Sequence, residues 1–84
     1  MQIIDDVLKQ IEENRFSGSS ALLAQALASA CSKHYNVSLL DASTKLDRTS
    51  MKMFYRLASI TKEPDFSNAD QEAAIRKLKE LEFI

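Results

Sequence analysis

Glycine and proline, the residues that most often punctuate strands and tight turns, each occur only once in this chain of 84 residues. A β-sheet or a mixed α/β fold needs strands separated by clusters of Gly, Pro and Asn, because these residues adopt the backbone conformations that turns require. Such clusters are nearly absent here. The sequence therefore predicts an all-α fold, a compact bundle of four to five helices.

Chain length and composition indicate one globular unit. A chain of 84 residues has enough length for a single hydrophobic core, so residues 1–84 are expected to form one helical domain. The hydrophobic content of 45% and the net charge of −1 are typical of a folded protein rather than a disordered one. A net charge this close to zero also argues against a surface devoted entirely to nucleic acid, although a local basic patch remains compatible with it.

The single cysteine and the first residues bear on the cellular compartment. Cys31 has no second cysteine with which to form a disulfide, which fits a reducing environment. The opening segment MQIIDDVLKQIEEN carries acidic residues where an export signal would need a basic start and an unbroken apolar run. A cytoplasmic location is therefore expected.

Apolar residues recur at helical spacing in five segments, four of them bounded by side chains suited to capping. Ser19 or Ser20, Ser38, Asp47 and Ser67 are the expected N-caps. The predicted helices cover residues 2–14, 20–35, 39–46, 48–61 and 68–82. The helices 20–35 and 48–61 are expected to form the core, because apolar residues cover most of the circumference of each.

The second predicted helix contains an uncharged stretch, SSALLAQALASACS, which covers residues 19–32. A membrane span takes about 20 predominantly apolar residues, and this stretch has four serines and one glutamine among its 14 residues. No membrane association is expected. The stretch instead predicts a buried helix whose alanines allow close approach of neighbouring helices.

Cys31 and His34 are three residues apart and are therefore expected on one helical face. A thiol nucleophile needs a base such as imidazole to accept its proton, which makes the pair a candidate for catalysis. Packing in the core beside Leu23 and Leu27 is the stronger interpretation, since the chain has no second histidine. A structural zinc site needs about four N or S ligands, so no metal and no cofactor are expected, and the chain is predicted not to be an enzyme.

A basic strip gives the clearest sign of a binding function. The segment STKLDRTSMKMFYR places Lys45, Arg48, Lys52 and Arg56 along a short helix, a tight turn and a longer helix, the outline of a helix-turn-helix. Asp47 lies within the strip, and the turn has no glycine. Nucleic-acid binding through these four residues is the alternative hypothesis, and an ordinary solvated helix face is the simpler one.

The main prediction is a protein-interaction or assembly module that binds a second copy of itself as a homodimer. Two helices with apolar residues on most sides, together with an apolar C-terminus, provide more hydrophobic surface than a small bundle readily covers. The candidate interface residues are Leu22, Ala26, Tyr55, Leu81, Phe83 and Ile84.

Overall fold

The computed structural model describes all residues from 1 to 84 and confirms the all-α fold. Its helices are α1 (Gln2–Glu13), α2 (Gly18–Cys31), α3 (Leu39–Lys45), α4 (Arg48–Ala58) and α5 (Asn68–Glu80), with a 3-10 turn at Ile60–Lys62 between the last two. None of these helices is long and apolar enough to cross a membrane.

Helix α2 lies at the centre of the bundle and packs against each of the other four α-helices. Its uncharged sequence explains this position, because no side chain in it needs a hydrated face. Leu23, Leu27 and Ala28 are fully buried, and they meet the apolar stripe of α1 and Leu78 of α5 in one continuous core. The predicted burial of the 19–32 stretch is therefore confirmed for most of α2.

Short polar side chains start four of the five α-helices. The hydroxyl or carboxylate oxygens of Ser17, Ser38, Asp47 and Ser67 accept hydrogen bonds from backbone N–H groups three residues later, at 2.8 to 3.2 Å. The caps predicted at Ser38, Asp47 and Ser67 are confirmed. The prediction for α2 was wrong by two or three residues, since Ser17 caps it and the helix begins at Gly18.

Helix α2 also ends earlier than predicted, at Cys31 rather than at residue 35. Ser32 adopts an extended conformation, and its hydroxyl accepts a hydrogen bond from the backbone N–H of His34 at 3.2 Å. Serine side chains compete in this way with the helical hydrogen bonds of the backbone. The turn that follows exposes His34 and returns Tyr35 and Val37 to the edge of the core.

Helix α4 was predicted to be mostly buried, and this was wrong. Only Ser50, Phe54 and Leu57 are buried in it, while Tyr55 and Ala58 are exposed. The helix is strongly amphipathic because its basic side chains occupy one continuous arc that must stay in water. It ends at Ala58, and the chain continues through the 3-10 turn, which buries Ile60.

The C-terminal residues fold back on the bundle through a Schellman motif. Glu82 takes a left-handed backbone conformation with φ of 63°, and the backbone N–H of Phe83 donates to the carbonyl of Leu78 at 3.0 Å. This turn brings Phe83 and Ile84 against the core, where both are half-buried. The apolar end of the sequence is therefore partly covered by its own chain.

Candidate functional site

An apolar surface groove lies between α2, α4 and the segment that joins α2 to α3. Its volume is about 390 Å³, and Ser29 is the one polar residue that lines it. The lining residues, which define the α2–α4 groove below, are Ala26, Ser29, Ala30, Val37, Leu39, Phe54, Leu57, Ala58 and Ile60. Pockets that bind polar small molecules usually contain several convergent polar groups, so this lining favours apolar side chains as the occupants.

Small residues on α2 create the groove. Ala26 and Ala30 stand where larger side chains would fill the space between α2 and α4, and the early end of α2 leaves that space uncovered near Val37. The alanines of α2, which were predicted to allow close helix packing, therefore have two roles. Ala24 and Ala28 are buried against neighbouring helices, whereas Ala26 and Ala30 line the groove.

Two exposed leucines stand on the α3 side of the groove. Leu39, which lines it, is 71% exposed, and the adjacent Leu40 is 73% exposed. Helix α3 has only seven residues and buries only Ala42, so its first turn has no neighbour to cover these side chains. Large apolar side chains left in water at a groove are typical of a surface that binds another molecule.

The opposite wall is formed by α4, whose exposed face passes from apolar to basic. Ala58 lines the groove, and Tyr55, three residues earlier, is 63% exposed. Arg48 and Lys52 come next around the helix, because residues three, four and seven apart lie along one face. Both are exposed and make no ion pair within 4.0 Å. These two residues are termed the basic edge.

The predicted basic strip is divided by the structure. Arg56 turns away from the groove, where its guanidinium donates to the carboxylate of Glu63 and lies 3.9 Å from Asp6. The hydrogen bond with Glu63 raises the pKa of Arg56 above its ordinary value. Lys45 is exposed at the end of α3. Lys45, Arg48 and Lys52 are thus available to a partner, while Arg56 is engaged within the chain.

Charge is distributed unevenly between this region and the rest of the chain. Residues 38–62 contain five Lys or Arg and two Asp, whereas the other 59 residues contain six Lys or Arg and ten Asp or Glu. No carboxylate lies within α4 itself, and the carboxylate of Asp47 is held at its N-terminus by Ser50. The groove is therefore bordered by positive charge in a protein that is otherwise acidic.

Most of the six predicted interface residues have contacts within their own chain. Leu22 and Ala26 are buried, and Leu81 is half-buried like Phe83 and Ile84. The guanidinium of Arg15 donates to the carbonyl of Leu81 at 2.6 Å and lies 5.8 Å from the centre of the Phe83 ring. Tyr55 is the one of the six that is largely exposed. The participation of the six residues in a contact between two copies stays a prediction.

The structure does not place Cys31 and His34 together in the core, so that packing prediction was wrong for His34. Cys31 is the last residue of α2 and is half-buried, whereas His34 lies beyond the helix end and is exposed. Burial raises the pKa of the Cys31 thiol to about 11. A catalytic thiol needs a shift in the opposite direction. No group of three or more His, Cys, Asp or Glu side chains is arranged to hold a metal ion.

Sequence reasoning missed Leu39 and Ala58, which line the groove, and the exposed Leu40 next to Leu39. The signal for the leucines was present: they follow the Ser38 cap in a helix too short to bury a full apolar face. Ala58 gave no such signal, because it belongs to the apolar residues of the predicted 48–61 helix, which was expected in the core.

Comparisons with protein-family models, curated proteins and solved structures find nothing significantly similar to this chain.

Proposed function

We propose that this protein is a non-enzymatic protein-interaction module, and that the α2–α4 groove receives a helix of its partner. The observation that carries the proposal is the combination of an apolar groove with exposed leucines on its border. A side chain such as leucine gains about 1.5–3 kcal/mol when it moves from water into an apolar environment. Covering Leu39 and filling the groove would therefore favour association.

A helix is the expected form of the bound segment. The fold is all-α and offers no sheet edge to which an extended strand could add. Grooves between helices instead receive the apolar face of an amphipathic helix, whose side chains at positions i, i+3, i+4 and i+7 insert together. The open volume accommodates side chains from one such face.

The sequence predicts that the protein associates with itself. In that case the segment that binds in the groove belongs to a second copy of the chain. Within the chain, Tyr55 and the groove border provide the exposed apolar surface that a homodimer could use. Leu22 is already covered by the chain itself. A homodimer, which the sequence predicts, would therefore form through the α3 and α4 side of the molecule.

Nucleic-acid binding remains a second candidate because the basic edge and Lys45 form an unpaired cationic surface on α3 and α4. Three cations can neutralise only about three phosphates, which corresponds to weak and strongly salt-dependent binding. The groove itself has no role in that function. For this reason the apolar groove favours a protein partner.

The test combines a titration with a measurement of mass. The ¹⁵N-labelled protein is titrated with a synthetic amphipathic helical peptide of about 18 residues that has leucines on one face and only Gln on the other. We expect the amide signals of Ala30, Leu39 and Ala58 to shift selectively. Sedimentation equilibrium up to about 500 µM, a range that detects weak association, reports self-association.

Two matched variants make the test specific. Ala58→Glu places a charge at the groove, and Ala69→Glu makes the same change on the exposed face of α5. The first is expected to abolish peptide binding or self-association and the second to leave both intact, since burying an unpaired carboxylate opposes association. A wild-type protein that remains monomeric and shows no groove shifts with the peptide would overturn the proposal.

A further inference from the structure

The chemistry of the groove border indicates which kind of helix fits it, an inference that rests on the proposed function. The apolar lining ends, on the α4 side, at Ala58, and the exposed Tyr55 follows one turn earlier in the helix. Lys52 and Arg48 lie three and seven residues before Tyr55, on the same face of the helix. A helix seated in the groove and extending over Tyr55 therefore meets Arg48 and Lys52. Neither of them has an acidic partner within its own chain.

We propose that the natural partner is an amphipathic helix of another protein, with an apolar stripe for the groove and Asp or Glu residues along the flank that faces Arg48 and Lys52. Charge complementarity carries this assignment. Opposite charges across an interface steer association and fix orientation, and like charges exclude the wrong partner. Since the cations lie on one wall of the groove only, the acidic flank also determines the orientation in which the helix binds.

A second copy of this chain does not offer such a helix. The exposed side of α1 is formed by polar and charged residues, and the exposed apolar residues of α5 are the small Ala69 and Ala73. The other large exposed apolar side chains, Phe16 and Phe66, lie outside the α-helices. Groove-to-groove pairing remains geometrically open to two copies, but it would bring their basic edges toward each other. Complementarity therefore favours a different, acidic protein.

Nucleic acid fits the same border less well than an acidic helix does. Asp41 and Asp47 flank the cations on α3 and at the start of α4, and they reduce the positive potential for phosphates and for an acidic helix alike. A phosphate backbone also has no apolar stripe to cover Leu39 and fill the groove. An acidic amphipathic helix would pair with the basic edge and fill the groove at the same time.

The test uses the full chain and three fluorescent peptides of about 18 residues that share one leucine face. One has Glu along a single flank, the second has Lys at the same positions, and the third has Gln. Ion pairs at an exposed edge contribute modestly to binding and are screened by salt. We therefore expect the Glu peptide to bind about tenfold more tightly than the Lys peptide at about 50 mM salt, with most of that preference lost at about 500 mM.

Matched variants assign the preference to specific residues. Arg48→Gln with Lys52→Gln is expected to make the Glu and Gln peptides bind equally, without weakening the Gln peptide. Lys33→Gln with Lys79→Gln removes two exposed charges outside α3 and α4 and should leave the preference unchanged. Circular dichroism and the unchanged affinity for the Gln peptide confirm that each variant is folded.

The outcomes separate this inference from the proposed function. Equal binding of the Glu and Lys peptides, or a Glu preference that survives Arg48→Gln with Lys52→Gln, overturns the acidic partner but leaves the groove as a protein-binding site. Failure of all three peptides with a concentration-dependent dimer assigns the groove to a second copy. Failure of all three with salt-dependent binding of duplex DNA that needs Arg48 and Lys52 overturns both proposals.

Discussion

Helices α2 and α4 have similar apolar content in the sequence but opposite positions in the molecule. Helix α2 has no charged residue along its length and is surrounded by the other four α-helices. Helix α4 carries Arg48, Lys52 and Arg56, and the arc that contains them faces solvent. Two helices in which more than half of the residues are apolar thus become a central helix in one case and an amphipathic surface helix in the other.

The difference shows that the placement of charge is a better guide to burial than the number of apolar residues. Burying a cationic side chain without a partner is costly, so three basic residues on one arc are enough to fix the exposed side of α4. Tyr55 and Ala58 are then exposed because they lie next to that arc. Ala58 lines the groove, and Tyr55 lies between Ala58 and the basic edge on the surface of the helix.

The largest effect is expected in the part of α2 that lies in the core. Leu27→Ala removes a fully buried side chain and should lower the free energy of unfolding by about 2–5 kcal/mol. That is a large part of the total for a domain of this size, about 4–13 kcal/mol at 0.05–0.15 kcal/mol per residue. Urea denaturation followed by circular dichroism measures the loss.

The control for this prediction is Leu39→Ala at the groove border. Leu39 is mostly exposed, so the change should stay within about 0.5 kcal/mol while weakening peptide binding. Equal losses in the two variants would mean that Leu27 is no more buried than Leu39 and that α2 is not the centre of the core.

Sequence reasoning predicted much of the fold and little of the site, for identifiable physical reasons. The helices and the caps at Ser38, Asp47 and Ser67 were predictable because they depend on local periodicity and on hydrogen bonds three residues apart. The groove was not predictable, because it forms where no large side chain packs beside Ala26 and Ala30. The hydrogen bond from Arg56 to Glu63 could not be predicted either, since it depends on how the chain turns after α4.

A medium effect is expected from enlarging an alanine in each helix. Ala28→Leu inserts three carbon atoms into a position with no exposed surface, and such overpacking should cost about 1–3 kcal/mol. Ala58→Leu adds the same atoms at the edge of the groove, where space is open, and is expected to change stability by less than about 0.5 kcal/mol. Thermal denaturation of both variants gives the comparison. If Ala58→Leu lowered stability and Ala28→Leu did not, α4 rather than α2 would be the tightly packed helix.

The smallest effect concerns the caps, which differ between the two helices in their response to pH. Helix α2 starts at Ser17, which does not titrate, and α4 starts at Asp47. The backbone N–H of Ser50, followed by its hydroxyl, lowers the pKa of Asp47 below its ordinary value. The charged carboxylate therefore stabilises the fold at pH values above about 3.9, the ordinary pKa of an unfolded Asp, and this contribution is lost as the pH falls through the lower pKa of the folded state.

Asp47→Asn keeps a capping side chain but removes the charge, and with it the favourable interaction with the positive end of the helix dipole. We expect the wild type to be slightly more stable than this variant at about pH 6, and the difference to be smaller at about pH 3, below the ordinary pKa of an unfolded Asp. Ser17→Ala should lower stability by the same amount at both pH values, because no ionisable group is removed. Melting temperatures of the three proteins across this range test the assignment. A constant difference between the wild type and Asp47→Asn would show that the carboxylate of Asp47 acts on α4 only as a hydrogen-bond acceptor, and that its charge contributes nothing to the start of that helix.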